Sequence, residues 1–354
     1  MKALVLAGGA GTRLRPITYT SAKQLVPLAN KPILFFGLEA IAGAGIRDVG
    51  IVVGDTASDI EAAVGDGSQF GLSVTYLPQD EPRGLAHAVL IARDFLGDEP
   101  FVMYLGDNLV IGGIASFVEE FEHERPEALV LLTKVENPQQ FGVAELAADG
   151  TLVRLVEKPK DPPSDLALVG VYLFQPGIHE AVRAIEPSKR GELEITDAIQ
   201  WLVDRGERVH PHVLSTPWVD TGKLLDLLEA NRIVIEEIER NIRGSVDQDS
   251  RIVGKVVVDE GAEIVASTIR GPVVVGRGAR IERSFVGPFS SIGARVRLVD
   301  AEVEHSVVLE DAEIVGVHRI VDSLIGRGAS VTHTTEQPKA LRMHIGDHSD
   351  VKIP

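Results

Sequence analysis

Cysteine is missing altogether from the 354-residue sequence, and aromatic residues make up only 5% of it. The absence of cysteine excludes disulfide bonds, thiolate nucleophiles and cysteine-based zinc sites. No apolar run approaches the roughly 18 residues that a membrane-spanning helix needs. The apolar stretch after Met1 and Lys2 is too short for a signal peptide. We therefore expect a cytoplasmic protein with no membrane partner.

Positive charge is in the minority, with 35 Lys and Arg against 52 Asp and Glu and a net charge of −17. This balance disfavours nucleic acid and anionic membranes as partners. The first acidic residue is Glu39, however, and the segment before it carries Arg13, Arg15, Lys23 and Lys31. An acidic protein that binds an anion has to gather positive charge locally, so we expect this segment to bind an anionic substrate.

An apolar strand near the N-terminus runs into Gly8, Gly9 and Gly11, and Thr12 and Arg13 follow. Glycines let backbone N–H groups approach a bulky anion because no Cβ intervenes, and an arginine side chain suits phosphate. The dinucleotide fingerprint would need a further glycine, and the mononucleotide P-loop would end in Gly-Lys-Ser/Thr. The pattern predicts a triphosphate-binding loop of another kind, with an ordinary glycine-rich turn as the alternative.

Residues 1–220 alternate apolar, β-branched runs with helical patterns, which predicts a mostly parallel sheet covered on both faces. The ligand of such a sheet binds beyond the carboxyl ends of its strands. A long amphipathic helix is expected to follow at 221–241. The predicted strands are 2–6, 49–53, 72–77, 101–105, 129–135 and 168–174, and the predicted helices are 32–44, 55–64, 85–95 and 114–122.

After residue 245 the apolar residues recur every 16 or 17 positions, as at Val258, Val275, Ile292, Val308 and Ile325. Three apolar positions fall in each period, five or six residues apart. This is the hexapeptide repeat of a three-sided β-helix of about five coils. Because its end coils have unpaired edges, we expect a helix, a tail or another subunit to cover them.

The predicted domains are a catalytic domain at 1–240, a β-helix at 241–335 and a tail at 336–354. The tail holds His344 and His348, whose spacing a metal can use on a helix. Gly346 lies between them and an acidic partner is missing, so we expect solvated histidines there.

The chain contains a series of short motifs: GGAGTRLRP at 8–16, AKQLVP at 22–27, NKP at 30–32, LGDN at 105–108, EKPK at 157–160, RGELEITD at 190–197 and WVDTG at 218–222. Together they resemble the sugar-1-phosphate nucleotidylyltransferases, and within them the long form of the glucose-1-phosphate thymidylyltransferases. The resemblance implies a Rossmann-like α/β nucleotidyltransferase domain followed by a left-handed parallel β-helix. It further implies that the chain transfers the thymidylyl group of dTTP to glucose 1-phosphate, with Mg²⁺ as cofactor, as a homo-oligomer, in a deoxysugar or antibiotic pathway.

The resemblance also assigns roles to residues. Arg13 would bind the β- and γ-phosphates, Lys23 would neutralise charge near the α-phosphate, and Lys158 would hold the sugar phosphate. The implied nucleotide-binding residues are Gly8, Gly9, Gly11, Thr12, Gln79, Gly84 and Asp107, of which Gln79 and Gly84 recognise the base. The implied sugar-phosphate-binding residues are Gly142, Glu157, Lys158 and Arg190, and the implied metal ligands are Asp107 and Asp220.

The chemistry fits these residue types. The phosphate of glucose 1-phosphate is already an anion near neutral pH, since the second pKa of a phosphate monoester is about 6, so no general base is needed. The obstacle is repulsion between two polyanions, which positioning and electrostatics overcome. Two carboxylates on a hard cation suit Mg²⁺. From the residues alone, the alternatives are a turn residue before Asn108 for Asp107 and a helix N-cap for Asp220.

Two positions near these motifs carry weaker expectations. Phe141 stands where many relatives have Tyr, which removes one hydroxyl from the implied sugar side. His87, in the helix predicted after Gly84, is expected to pack or to face solvent rather than to act in catalysis.

Other functions stay open from the sequence. The nucleotide could be UTP or GTP, or the sugar phosphate a different one. The β-helix could carry a sugar acetyltransferase, for which His305 and His318 are available, although we expect it to be structural and to shape the oligomer. The chain could also be a sugar-nucleotide sensor or scaffold without chemistry.

Overall fold

The computed structural model describes residues 1–9, 11–333, 343 and 347–352, and the chain divides into two compact units. The first unit comprises Met1–Ala10, Ala22–Leu25 and Ile33–Asp220, and the second comprises Gly11–Ser21, Val26–Pro32 and Thr221–Pro354. The predicted phosphate loop is therefore divided, because its first two glycines belong to the first unit and the residues from Gly11 onward belong to the second.

The elements follow each other in a β/α alternation up to residue 220. The helices are α1 (Ile33–Gly43), α2 (Ala57–Val64), α3 (Leu85–Ile91), α4 (Arg93–Leu96), α5 (Ala115–Glu124), α6 (Ile178–Ala184), α7 (Ile195–Asp204) and α8 (Leu224–Glu236). The strands up to this point are β1 (Lys2–Leu6), β2 (Pro27–Leu28), β3 (Lys31–Pro32), β4 (Asp48–Val53), β5 (Ser73–Pro78), β6 (Phe101–Leu105), β7 (Asn108–Val110), β8 (Ala128–Lys134), β9 (Gly142–Leu146), β10 (Leu152–Glu157), β11 (Leu166–Phe174), β12 (Val209–Val213) and β13 (Trp218–Asp220).

The first unit is built on one large sheet, which counts nine strands among the described residues. Its main path runs β10-β9-β11-β6-β1-β4-β5, with β8 paired to β11 and β12 to β8. The centre, from β6 to β5, is parallel, whereas β11 runs antiparallel to its neighbours. The expected Rossmann-like sheet is confirmed, and its antiparallel strand comes from the β8–β11 segment.

Both faces of this sheet are covered, which explains why its central strands are apolar throughout. Successive residues of a strand point to opposite faces. Val5 and Tyr104 accordingly belong to one buried core, and Leu4 and Met103 belong to the other. Because β1, β4, β5 and β6 are parallel, their carboxyl ends lie at one edge of the sheet. Gly8, Asp107 and Gln79 follow β1, β6 and β5 at this edge.

The second unit contains three parallel sheets, with six, six and five strands among its described residues. Paired strands lie 16 to 18 residues apart, as in Ser291↔Val307, Val258↔Val275 and Ser245↔Glu263, and their apolar residues share one core. This is the predicted three-sided β-helix. Its strands are β14 (Asn241–Ile242), β15 (Ser245–Val246), β16 (Arg251–Val253), β17 (Val256–Val258), β18 (Glu263–Val265), β19 (Thr268–Arg270), β20 (Val273–Val275), β21 (Arg280–Glu282), β22 (Phe285–Val286), β23 (Ser290–Ile292), β24 (Arg297–Val299), β25 (Glu302–Glu304), β26 (Val307–Val308), β27 (Glu313–Val315), β28 (Ile320–Val321), β29 (Leu324–Ile325) and β30 (Ser330–Thr332).

The helix expected at 221–241 is shorter than predicted. It covers only Leu224–Glu236, and Asn241 already begins the first coil of the β-helix. The helix expected at 85–95 is likewise interrupted, because α3 ends at Ile91 and α4 begins at Arg93.

The coil formed by β14, β15 and β16 lies within the predicted β-helix domain, but the repeat pattern that begins at Val258 does not include it. Its apolar residues Ile242, Val246 and Ile252 are four and six positions apart, which breaks the spacing of the later coils. They nevertheless pair in register with the next coil. No helix of the described residues is long and apolar enough to cross a membrane. Of the two histidines noted in the predicted tail, His344 lies outside the described residues.

Candidate active site

Asp107 lies at the carboxyl edge of the central sheet and is only 7% exposed. Lys23, from a short 3₁₀ turn, forms an ion pair and hydrogen bond with its Oδ2. Burial by itself would raise the pKa of the Asp107 carboxyl, but the charge and hydrogen bond of Lys23 and the amide of Asn108 hold it below its ordinary value. The structure therefore brings two of the predicted site residues together as a buried, ionised pair.

Asn108 connects this carboxylate to two other elements. Its Nδ2 donates to Asp107 Oδ1 at 3.2 Å, and its Oδ1 accepts from Trp218 Nε1 at 2.7 Å and from the Gly170 N–H at 3.2 Å. A Cβ at Gly170 would lie 2.7 Å from Asn108 Cγ, so a glycine is needed there. Sequence reasoning gave Asn108 no role, although it belongs to the LGDN motif.

The ladder between β7 and β13 places Asp220 near Asp107. In this antiparallel pair Asp220 lies opposite Asn108, the residue that directly follows Asp107. Asp220 does not cap the next helix, because the N-cap residue of α8 is Lys223. No group of three or more His, Asp or Glu that could hold a metal occurs within the described residues. Asp107 and Asp220 are thus two carboxylates on either side of Asn108, one adjacent in sequence and one opposite it in the ladder.

The first two glycines of the phosphate loop lie against site side chains. A Cβ at Gly8 would lie 3.4 Å from Gln79 Oε1, and a Cβ at Gly9 would lie 3.3 Å from Lys23 Cε. The buried amide of Gln24 is close by, and its Oε1 accepts no hydrogen bond from the described residues. A buried acceptor without a donor costs about 1–3 kcal/mol, so Gln24 Oε1 is a costly buried group close to Gly9.

The remaining loop residues belong to the second unit. Gly11 adopts the left-handed conformation, with φ 61°, directly before the 3₁₀ turn Thr12–Leu14. Its carbonyl accepts from Thr18 Oγ1 at 2.7 Å, which fixes the turn that carries Arg13. Thr12 and Arg13 are both exposed.

Gln79 and Gly84, the predicted base-recognition residues, lie in the segment between β5 and α3. Gly84 has φ 102°, and a Cβ there would lie 2.4 Å from the Leu193 carbonyl oxygen. The Leu193 N–H donates to the Arg83 carbonyl at 2.8 Å. Gly84 is thus required by close backbone contact with the RGELEITD segment. Gln79 Nε2 lies 3.0 Å from His87 Nδ1, so His87 is a partner of Gln79 rather than a mere packing or surface residue.

The predicted sugar-phosphate residues form a second cluster around Glu157. Its Oε1 lies 3.4 Å from Lys158 Nζ and 3.3 Å from Arg190 Nη1. Gly142 pairs with Glu157 across β9 and β10, and a Cβ there would lie 2.7 Å from Thr196 Cγ2. All four predicted residues therefore lie together.

Sequence reasoning missed Glu194, which adjoins this cluster. It is 4% exposed, accepts from Ser188 Oγ at 2.8 Å and lies 3.3 Å from Arg190 Nη1. Burial raises the pKa of its carboxyl. Its place in the RGELEITD motif is the only sequence signal that could have pointed to it. Phe141 packs edge-on against Trp218.

These residues lie at the carboxyl edge of a largely parallel sheet, which is where α/β proteins bind their ligands. The chain belongs to the nucleotidyl transferase family, whose model matches residues 2–237. It is 60% identical to a glucose-1-phosphate thymidylyltransferase of Streptomyces griseus and 58% identical to one of Streptomyces antibioticus. Each match covers 100% of this chain and 99% of the relative.

Among solved structures, the chain is similar to a Bacillus anthracis protein assigned as a glucose-1-phosphate thymidylyltransferase and crystallised in complex with a sucrose. The TM-score is 0.63 at 36% sequence identity, and the match covers 68% of this chain and 97% of that chain. The resemblance to the long-form thymidylyltransferases, inferred from the motifs, is confirmed by the full-length relatives.

Proposed function

We propose that this chain transfers the thymidylyl group of dTTP to glucose 1-phosphate and releases pyrophosphate. The observation that carries the proposal is the pairing of β7 with β13, which brings Asp220 beside the Lys23–Asp107 pair at the carboxyl end of β6. This is the edge at which ligands of parallel α/β sheets bind. The full-length identity to two thymidylyltransferases supports the choice of substrates.

Asp107 and Asp220 are the residues that would hold Mg²⁺. Carboxylate oxygens are the hard ligands that this ion prefers, and it keeps several positions for water and phosphate oxygens, so two side chains suffice. When bound, the ion would neutralise negative charge on the triphosphate. A depressed pKa of Asp107 supports this role, because the carboxylate is already ionised at neutral pH.

The positively charged residues of the proposed site form two groups, one for each substrate. Lys23 would neutralise charge near the α-phosphate of dTTP, and Arg13 would bind the β- and γ-phosphates and stabilise the leaving pyrophosphate. Lys158 and Arg190, which both reach Glu157, would hold the phosphate of glucose 1-phosphate. Held in line, its oxygen attacks the α-phosphorus without a general base.

The sugar and the base would be held by the remaining residues. Glu157 would accept hydrogen bonds from the sugar hydroxyls, next to the backbone of Gly142. Gln79 would recognise the thymine edge, with Gly8, Gly9, Gly11 and Thr12 approaching the nucleotide and Gly84 shaping the base loop. We further propose a homo-oligomer that acts in the cytoplasm, without nucleic acid or membrane as a partner.

Steady-state turnover tests the proposal. Pyrophosphate release from glucose 1-phosphate should show a higher kcat/KM with dTTP than with UTP or GTP. Asp107→Asn should abolish release while leaving nucleotide binding measurable by calorimetry. A higher kcat/KM with UTP would replace the nucleotide in this proposal, and release by Asp107→Asn at the rate of the unaltered protein would overturn the site.

A further inference from the structure

His87 makes a directional contact with one of the proposed site residues. Its Nδ1 lies 3.0 Å from Nε2 of Gln79, across the space between the end of β5 and the first turn of α3. The Oε1 of the same amide lies on the opposite side, near the position a Cβ of Gly8 would occupy. The two ends of the Gln79 amide are therefore in different surroundings.

The chemistry of the two groups determines the direction of this hydrogen bond. An amide nitrogen can only donate, whereas an imidazole nitrogen accepts when it carries no proton. With Nε2 of Gln79 facing Nδ1, the contact is a hydrogen bond when the imidazole carries its proton on Nε2 and leaves Nδ1 to accept. The second N–H of the amide and both lone pairs of Oε1 are then left for a ligand.

The orientation of that amide distinguishes one pyrimidine from another. Thymine and uracil present a donating N3–H beside a carbonyl, so they pair with an amide whose oxygen faces N3. Cytosine presents an accepting N3 beside an amino group, so it pairs with the same amide turned by 180°. An amide without a fixed partner can turn and serve either base.

We propose that His87 is a specificity-determining positioning residue, which by accepting from Gln79 holds the amide in the orientation that selects thymine over cytosine. This inference rests on the proposed function, because it needs Gln79 at the base. His87 itself touches neither substrate. Its effect passes through Gln79, and it should change nucleotide choice without changing the chemical step.

The test is the ratio of kcat/KM for dTTP to kcat/KM for dCTP, with glucose 1-phosphate as the second substrate. His87→Phe keeps the ring but removes the acceptor, and it should lower this ratio about tenfold, through KM, while kcat with dTTP stays within twofold. His87→Asn places an oxygen close to the Nδ1 position and should keep the ratio within about threefold of the original. His87→Gln extends its polar end beyond that position and should behave like Phe.

His123→Phe is the matched control, because its side chain is 86% exposed on α5 and it should leave the ratio unchanged. Equal ratios in the Phe variant at 87 and in the unaltered protein would overturn the inference. So would equal losses in the Phe and Asn variants, since shape rather than the acceptor would then be responsible.

A separate arm distinguishes this inference from the proposed function. Gln79→Leu should lower kcat/KM for dTTP and bring the ratio close to one. If Gln79→Leu leaves the ratio unchanged, base recognition by Gln79 is wrong. If it lowers the ratio and His87→Phe does not, only the role of His87 is wrong.

Discussion

Asn108, the first residue of β7, forms hydrogen bonds with Asp107, with Trp218 of β13 and with Gly170 of β11. Asn108→Leu has nearly the same size but leaves two buried N–H donors without an acceptor. At about 1–3 kcal/mol for each unsatisfied donor, we expect the free energy of unfolding to fall by about 3 kcal/mol. Urea unfolding followed by tryptophan fluorescence measures the change.

Asn108→Asp provides the matched comparison. It keeps an acceptor for Trp218 and the Gly170 N–H but replaces the donor to Asp107 with a like charge. Its stability should lie between those of the unaltered protein and the Leu variant, and its affinity for Mg²⁺ should change. If the Leu variant unfolds at the same urea concentration as the unaltered protein, Asn108 does not hold these strands together.

Lys23 offers a pH-dependent prediction. Because the folded pKa of Asp107 is depressed, the stability from its ion pair is present above the unfolded pKa and is lost as pH falls through the folded pKa. Lys23→Met leaves a buried carboxylate without its cation, which should cost on the order of 3 kcal/mol at pH 7.

The cost in the Met variant should shrink as the pH is lowered. Without Lys23, burial raises the pKa of Asp107, so its carboxyl protonates at a higher pH than in the unaltered protein and its unpaired charge disappears. Chemical unfolding of both proteins over a series of decreasing pH values measures the difference. Lys23→Arg keeps the charge, so both its loss of unfolding free energy and the pH dependence of that loss should be small. If the stability difference between Lys23→Met and the unaltered protein does not change with pH, the ion pair is not the source of that difference.

The sequence predicts the charged site residues better than the residues that orient them. Lys23, Asp107 and Asp220 belong to polar motifs beside apolar strands, so local context marks them. Asn108 and His87 act through hydrogen bonds to residues that are distant along the chain or across a loop, as with Gly170 and Gln79. Such contacts depend on the tertiary structure, and no spacing in one sequence encodes them.

At the level of elements, the β-helix is held by hydrogen bonds that repeat from coil to coil. Ser284 Oγ accepts from the Ala301 N–H at 3.1 Å, and the Ser284 N–H donates to Ser267 Oγ at 3.0 Å, a step of 17 residues each time. Ser284→Ala leaves the Ala301 N–H without this acceptor. We expect the unfolding free energy to fall by about 1–2 kcal/mol, measured as a lower midpoint of thermal unfolding.

Ser290 provides the control for this prediction. It is fully buried in the same β-helix, but its Oγ has no hydrogen-bond partner among the described residues. Ser290→Ala should therefore be neutral or stabilising, because it removes a polar atom that burial has deprived of water. Equal losses in the two serine variants would contradict the assigned hydrogen bond.

The elements also show where the sequence pattern is sufficient. Strands β1 and β6 have the bounds predicted from their apolar runs, since burial on both faces produces a continuous signal. Helix α8 ends five residues earlier than the pattern suggested, at Glu236 rather than 241. The apolar residues of the first coil continue the helical pattern, and only pairing with Val258 and its neighbours turns them into strands.

On the scale of the whole molecule, the second unit joins N-terminal segments to the β-helix. Ala29 donates its N–H to Asn231 Oδ1 at 2.9 Å, and Asn231 Nδ2 donates to the Phe289 carbonyl at 3.2 Å. Asn30 Nδ2 donates to the Ile292 carbonyl at 2.8 Å. In addition to any role in assembly, the β-helix therefore contacts Asn30 directly and Ala29 through Asn231, and both residues belong to the same unit as the segment that carries Arg13.

Deleting residues 245–354 should consequently have two effects. The first is a smaller assembly by light scattering, because the β-helix is proposed to shape the oligomer; a truncated protein of unchanged size would contradict that role. The second is a raised KM for dTTP. The 3₁₀ turn at Ile17–Tyr19 follows the turn that carries Arg13. Its Ile17 lies against the last coil, because a Cβ at Gly326 would be 3.3 Å from Ile17 Cδ1.

Asn231→Ala separates the two effects without removing the domain. It breaks the bonds to Ala29 and Phe289 inside one unit and leaves the outer faces of the β-helix unchanged, so the assembly should keep its size while KM for dTTP rises about threefold or more. Arg232→Ala, next to it on the same helix, loses only exposed ion pairs with Glu229 and Glu236, which are worth little, and should leave KM unchanged. If Asn231→Ala binds dTTP as well as Arg232→Ala does, the β-helix does not support the phosphate-binding segment, and its role is confined to assembly.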